Sequence, residues 1–289
     1  MGSERILAVG HINWDVVMHM NTIPTPDHSE RLQNIHKGPG GSATNTALLL
    51  ADSEVDTVLA GSLGDDEWGD MVRSFLDDSQ LEYYTTNASP TTNIYALLTD
   101  DADPRYLAQN EPVGEYESTI VPDEVWDTIT HLHITSFSEY VSKSFVERAV
   151  EEGVTISFNP SQVYSEREFP HIVENADVIF LNKREAEIFR QRQNLGLIAE
   201  SGTSVIITHG GAGCTAYESN GISTHSGFPV SDVIDTVGAG DSFIAGFLSE
   251  WVTGSSTEEC LERANQYGAM AVQVPGAPNK VISDSTPTK

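Results

Sequence analysis

The stretch DTVGAGDSFIAGF, residues 235–247, decides how the rest of the chain is read. Its second half is the apolar opening of a helix. A helix start needs only one capping side chain, and Asp241 or Ser242 would supply it. Two glycines, Gly238 and Gly240, point to a close approach to the backbone. Free N–H groups and the positive end of the helix dipole converge there, so the expected guest is an anion. A carboxylate repels an anion, and Asp241 therefore needs a task of its own. Phosphoryl transfer supplies one. Backbone N–H groups from Val237 to Asp241 cradle a γ-phosphate, and Asp241 accepts the proton of an attacking hydroxyl from the other side. A glycine turn capping an ordinary helix fits the same letters.

Outward from this loop the chain alternates short apolar runs with helical patterns. RILAVG, TVLAGSLG, HLHITSF, VTISFNP, DVIFLN and SVIITHG read as buried strands, and GSATNTALLLAD and DEWGDMVRSFLDD as helices. HINWDVVMHM alternates as a strand, and NIYALLTDDADPRYLAQN reads as a hairpin around an acidic turn. GCTAYES and ISTHSGF form a second hairpin, followed by helices from Gly240 and from about Thr257. The order predicts an α/β fold, doubly wound, with a mostly parallel central sheet in one domain over residues 1–289. A small β excursion interrupts it, built from two segments at about 11–38 and 83–112. Ligands of such sheets lie at the C-terminal ends of the strands, so each Gly- or Asn-marked strand end is a candidate.

Forty-three acidic residues stand against 15 basic ones, a formal net charge of −28, and the only lysines are Lys37, Lys143, Lys183, Lys280 and Lys289. Such a field excludes nucleic acid and anionic membrane as general electrostatic partners. Acid dispersed along the whole chain, with scarce lysine, fits a salt-rich cytoplasm in which screening removes most self-repulsion. The expectation is a halophilic protein whose melting temperature rises between low and molar KCl; a flat response contradicts it. Cys214 and Cys260 make no disulfide framework and sit at no metal-ligand spacing. The start MGSERILAVG lacks a signal pattern and no apolar run reaches a membrane span, so the expected location is cytoplasmic. His131 and His133 share one face of a strand without other ligands at metal spacing and read as structural. Trp14 lies on the strand face opposite Asn13 and Asp15 and reads as packing.

No GxxxxGK[ST] occurs, and neither AVGHIN nor GAGDSF has the dinucleotide-binding glycine spacing. GPGGSATNTALLLA opens a helix with a diglycine, Gly40 and Gly41, which brings a polyol close to the backbone with Asn45 offering an amide to its hydroxyls. A helix start packed tightly on a strand reads equally well there.

Taken together, these stretches resemble the ribokinase-like (PfkB) carbohydrate kinase family from about Ile6 to Ala277. DTVGAGDSF is similar to that family's C-terminal signature and GPGGSATNTA to its N-terminal one. The resemblance implies a three-layer α/β/α sandwich with a small β-sheet lid. It implies Asp241 as base with Gly238, Ala239 and Gly240 around the phosphate, and Asn13 and Asp15 of GHINWDVV gripping a sugar. LNKREAEIF carries the family's NxxE pattern as Asn182 and Glu185, associated with Mg²⁺, its waters and phosphate. THGGAGCTAY is similar to the ATP-contacting turn, giving Thr208, Gly210 and Gly213, and Asn265 falls where the family lines the adenine pocket. Asp235 stands where some relatives fix the loop or hold a monovalent cation such as K⁺. Physics agrees with the metal pair, since Mg²⁺ takes oxygen ligands and keeps its waters. An i, i+3 spacing puts both residues on one helix face, and it is also that of a capping box.

Members acting on free ribose carry a lysine after the diglycine and a glutamate after the middle strand. Here Ser42 follows the diglycine, and Ser136 or Phe137 of HITSFSEY stands near the glutamate's place. Phe137 would suit an apolar or base-shaped pocket. Arg31, Lys37 and Arg105 would suit a substrate phosphate, or are surface charges. The expected activity is ATP-dependent phosphoryl transfer to a primary hydroxyl of a sugar or ribosyl compound. The alternatives are a nucleoside kinase or a sugar-phosphate kinase acting, for example, on ribose 1-phosphate, and, from another class, a non-catalytic sugar or nucleotide sensor. A homodimer through the lid is an arrangement the resemblance admits.

Overall fold

The computed structural model describes residues 4–87, 90–99, 102–109, 116–135, 139–161 and 168–274. Numbered along the chain, seven strands run parallel in one large sheet: β1 (Arg5–Val9), β4 (Asp56–Leu63), β5 (Glu82–Asn87), β8 (His131–Thr135), β9 (Thr155–Asn159), β10 (Val178–Asn182) and β11 (Ser204–Thr208). The hairpin of β12 (Cys214–Glu218) and β13 (Gly221–His225) extends it antiparallel, in the order β13-β12-β11-β10-β9-β8-β1-β4-β5. The inner strands are apolar on both faces because both faces are covered. Leu7, Val9, Ile179, Leu181, Val205 and Ile207 enter the core on one side. Their neighbours Ile6, Val178, Phe180 and Ile206 enter the other, against α8 (Ala239–Trp251) and α9 (Thr257–Ala271). The fold is the expected α/β sandwich. Within the described residues, no helix is long and apolar enough to cross a membrane.

Strand order reverses between β1 and β8, which opens the crevice that a doubly wound sheet offers to ligands. Gly10, just beyond β1, has no room for a side chain, since a Cβ there would lie 2.0 Å from Thr135 Oγ1. The next residues leave the large sheet and enter a small one of β3 (Leu32–Gly40), β2 (Asn13–Met20), β6 (Thr92–Thr99) and β7 (Ala102–Gln109). Its second segment begins later than the expected position near residue 83. Glu82–Asn87 is the edge strand β5 of the large sheet, paired parallel with β4. Its sequence EYYTTN suits a strand of either sheet, and only the pairing separates them. The first segment ends later too, because β3 continues to Gly40.

His131 and His133 are buried on β8 and share Ser157 Oγ, at 2.8 Å and 2.7 Å. Burial pulls both imidazoles down to about 3, so they stay neutral. They are structural, as their spacing suggested. Trp14 packs against Trp68 with ring centroids 6.1 Å apart, on the face of β2 away from Asp15.

Candidate active site

The C-terminal ends of the parallel strands and the small sheet enclose a cavity of about 590 Å³. Asn159, Asn182 and Thr208 reach it from β9, β10 and β11, and Asn13, Asp15, Ile94 and Tyr106 from the small sheet. A second cavity of about 420 Å³ lies against Gly210, Gly213, Phe228, Asn265 and Gly268. The two meet, because Thr208, Thr236, Gly240 and Phe243 line both. The cleft thus has two lobes joined at the start of α8.

Asp241 stands in that first turn, in the third helical position. Its Oδ2 accepts a 2.7 Å hydrogen bond from Asn45 Nδ2, and Ser42 bonds the same carboxylate. Both donors belong to α1 (Ser42–Asp52). Asn45, expected to meet substrate hydroxyls, therefore also aims Asp241, while its own Oδ1 is buried and unpartnered. Burial pushes Asp241 up to about 6 and the bonds from Asn45 and Ser42 hold it back. A carboxylate tuned toward neutrality suits a general base.

Beside it, Gly238 begins the helix in the left-handed conformation, φ 75°. The first N–H groups of a helix have no partner within it, which leaves those of Gly240 and Asp241 for a ligand. Two amides of the expected cradle are engaged elsewhere. Val237 N–H donates to Asp235 Oδ1 at 2.8 Å, and Ala239 N–H to the Thr236 carbonyl at 3.3 Å. A Cβ added at Gly240 would meet no protein atom within 4 Å, so this glycine opens onto the cleft.

The diglycine of GPGG has a packing reason beside the expected contact with a polyol, and Gly41 lines the cleft. A Cβ on Gly40 would sit 1.9 Å from Asp15 Oδ2, and one on Gly41, at φ +93°, 2.1 Å from the His11 carbonyl. The protein's own atoms fill that space. Gly41→Ala is expected to cost about 2 kcal/mol or more in denaturant unfolding, through both strain and collision. Gly240→Ala should keep wild-type stability but lose turnover, since its methyl enters only the ligand's space.

Asp15 is the second perturbed carboxylate, pushed up to about 7 by burial and by the charge of Asp241, against a bond from the Gly41 amide. The Oδ1 atoms of Asn13 and Asp15 are buried without partners and wait for donors. Asn182 and Glu185 form a capping box at the start of α6 (Lys183–Arg192). Asn182 N–H and Nδ2 reach the two Glu185 oxygens at 2.9 Å and 2.7 Å. Both residues also line the cleft, so the capping and the ligand-facing readings coexist. Burial raises the Glu185 carboxyl. A buried carboxylate facing the cleft, with both oxygens engaged, fits a hydrated divalent cation held through water.

Thr208, Gly210, Gly213 and Asn265 all border the second lobe. Asn265 turns its amide into the wall, with Nδ2 on the Leu261 carbonyl at 2.8 Å and near Cys214 Sγ at 3.0 Å. The cations expected to meet a substrate phosphate are not brought together. Lys37 is cross-strand to Val16 and Arg105 to Leu97, on the face opposite Asp15, and Arg31 is exposed. Ser136 and Phe137 lie outside the described residues.

Sequence reasoning missed Tyr106, His11, Ser42 and Ser161, which also line the cleft. Tyr106 carried a period-two signal, one face of β7 with Ala108. Its hydroxyl is pushed up to about 12 by burial and by Asp235, Asp241 and Asp15, although the residue is 40% exposed, so it remains a donor. Ser161 holds φ 53°, a strained conformation with no sequence signal.

The sequence pattern of the pfkB family carbohydrate kinases matches residues 3–284. The chain belongs to that family. It is a phosphotransferase acting on an alcohol group. An ATP-dependent ribose-1-phosphate kinase of Halopiger xanaduensis is 32% identical over 97% of this kinase and 96% of its own length. A nucleoside kinase of Methanothermobacter thermautotrophicus is 26% identical, over 97% and 94%. Arabidopsis thaliana ribokinase, solved with ribose and ATP, superposes with a TM-score of 0.81 at 21% identity, covering 98% of each chain.

Proposed function

We propose that the kinase transfers the γ-phosphoryl of ATP to the primary hydroxyl of a ribosyl compound, with ribose 1-phosphate as the first acceptor. One observation carries the reading: Asp241 is aimed by Asn45 and Ser42 at the junction of the two lobes, beside the open amides of α8. The acceptor lies along Asn13, Asp15 and Asn45, and the nucleotide along Thr208, Gly210, Gly213 and Asn265. Asp241 takes the proton as the hydroxyl oxygen bonds to phosphorus and the bond to the β-phosphate oxygen breaks, releasing ADP. The amides of Gly238, Gly240 and Asp241 face the charge on the transferring group. Asn182 and Glu185 would hold Mg²⁺ through its waters, and the ion would neutralise phosphate charge there.

For Asp235 the resemblance raised two roles, fixing the loop and holding potassium. One oxygen bonds the Val237 amide and the other faces His19 Nε2 at 3.9 Å, so we assign it to holding the loop. The small sheet acts as a lid that excludes water. Its face away from Asp15 exposes Ile35 and Leu107, which suits pairing with a second copy. The excess of 43 acidic over 15 basic residues supports a salt-rich cytoplasm as the kinase's setting.

Acceptor choice rests on the ribose-1-phosphate kinase relative. The nucleoside kinase relative makes a nucleoside the second choice. The test is a screen in molar KCl of pentoses, hexoses, pentose phosphates and nucleosides, reading ADP and phosphorylated product. Ribose 1-phosphate should give the highest kcat/KM. A higher value for a nucleoside or a free sugar overturns the assignment, and no turnover with any acceptor overturns the kinase reading of the cleft.

A further inference from the structure

β2 presents Asn13, Asp15, Val17 and His19 on one face, because alternate residues of a strand point the same way. Asn13 and Asp15 line the acceptor lobe. The other half of the stripe meets a different partner. Val17 packs with Ala96 and Leu98 of β6 around Val237, the residue just before Gly238. His19 Nε2 is buried without a hydrogen bond and lies 3.9 Å from Asp235 Oδ2. Asp235 Oδ1 in turn accepts the Val237 N–H at 2.8 Å. The small sheet thus meets the loop at two adjacent points, one an apolar contact and one an imidazole facing a carboxylate. Both lie immediately ahead of the amides that face the phosphate.

We propose that His19, acting through Asp235, is a positioning residue that registers the small sheet on the phosphate-facing loop. Binding an acceptor at Asn13 and Asp15 then also sets the amides of Gly238, Gly240 and Asp241. The physical reason is rigidity. A pleated strand carries a displacement along its length, and the buried Val237 side chain, with Asp235 bonded to its amide, cannot follow the sheet independently. When the sheet lifts away, the loop loses the apolar cover of Val17, Ala96 and Leu98 and the facing imidazole together. The amides are then no longer preorganised, and ATP without an acceptor is hydrolysed slowly.

The inference rests on the kinase reading, so its deciding test needs no acceptor. Amide hydrogen exchange over residues 235–241 is measured with the nonhydrolysable analogue AMP-PNP and Mg²⁺, in wild type, His19→Leu and His19→Gln. His19→Leu should exchange roughly fivefold faster or more, and His19→Gln, which keeps an N–H donor, should restore protection. Kinetics with the acceptor found in the screen should show the matching pattern. In His19→Leu, kcat falls about tenfold, the acceptor KM stays within about threefold, and more ADP forms per phosphorylated product. Wild-type exchange in His19→Leu overturns the proposal, and so does equal loss in both variants, which signals packing alone. A panel without any turnover would overturn the kinase reading while the exchange result still decides the loop contact.

Discussion

Asp241→Asn is expected to lower kcat by roughly 10²-fold or more while leaving AMP-PNP affinity nearly unchanged. The substitution keeps the side chain's size and its place in the first turn of α8, so the amides of Gly238 and Gly240 stay where they are. It removes the carboxylate in the first turn of α8, the group proposed to take a proton from the acceptor. Asn45 and Ser42 already spend donors on this carboxylate, and an amide in its place presents an N–H₂ to donors or turns over. In wild type the same assignment fixes the acid limb of the pH profile. With Asp241 near 6, kcat at saturating acceptor should fall about tenfold per unit as the pH drops below that value, because only the ionised carboxylate accepts the proton. Near-normal turnover in the variant would remove Asp241 from the role of base. Loss of nucleotide binding would show that the substitution has disturbed the amides instead.

Asp15→Asn should separate function from stability. The carboxyl of Asp15 sits near 7 in the folded chain, chiefly through burial and then through the charge of Asp241, against 3.8 for an unperturbed aspartate. The folded state therefore binds this proton more tightly than the unfolded state. Its stabilising contribution is complete below about pH 4 and is lost as the pH rises through about 7. Above that, the ionised side chain is a standing cost, which an asparagine removes. The variant should melt higher than wild type at pH 8, by on the order of 2 kcal/mol of stability, with the gain vanishing toward pH 4. Its kcat/KM for acceptor should nevertheless fall about 10- to 100-fold, because a charged acceptor of the sugar hydroxyls is gone. Thermal scans at both pH values and initial-rate kinetics check the two halves. A lower melting temperature at pH 8 would contradict the electrostatic account.

The parts of the fold that were readable from sequence are those governed by local chemistry. Continuous apolar runs such as DVIFLN and SVIIT announced strands covered on both faces. GAGD announced a glycine-opened helix start, and the period of two in NWDVVMHM placed Asp15 and Trp14 on opposite faces. What could not be read depends on contacts between distant residues. Asn45 meets Asp241 across 196 positions of sequence, so its part in aiming the carboxylate has no local trace. Gly40 is a glycine because of Asp15, which arrives from another strand. Tyr83 and its neighbours read as part of the excursion because EYYTTN suits an edge strand of either sheet and only the pairing with β4 decides. Lys37 and Arg105 were legible as rare cations, but which face of the small sheet they take is set by register with Val16 and Leu97.

In the proposed reaction a primary hydroxyl and the γ-phosphate meet at Asp241, between the two lobes. The most direct measurement is a crystal structure of the kinase with Mg²⁺, AMP-PNP and ribose 1-phosphate grown from molar KCl. The 5-hydroxyl oxygen should lie within about 3 Å of an Asp241 oxygen, with the γ-phosphate against the amides of Gly238 and Gly240. An acceptor bound away from Asn13 and Asp15, or a γ-phosphate turned from the start of α8, would contradict it.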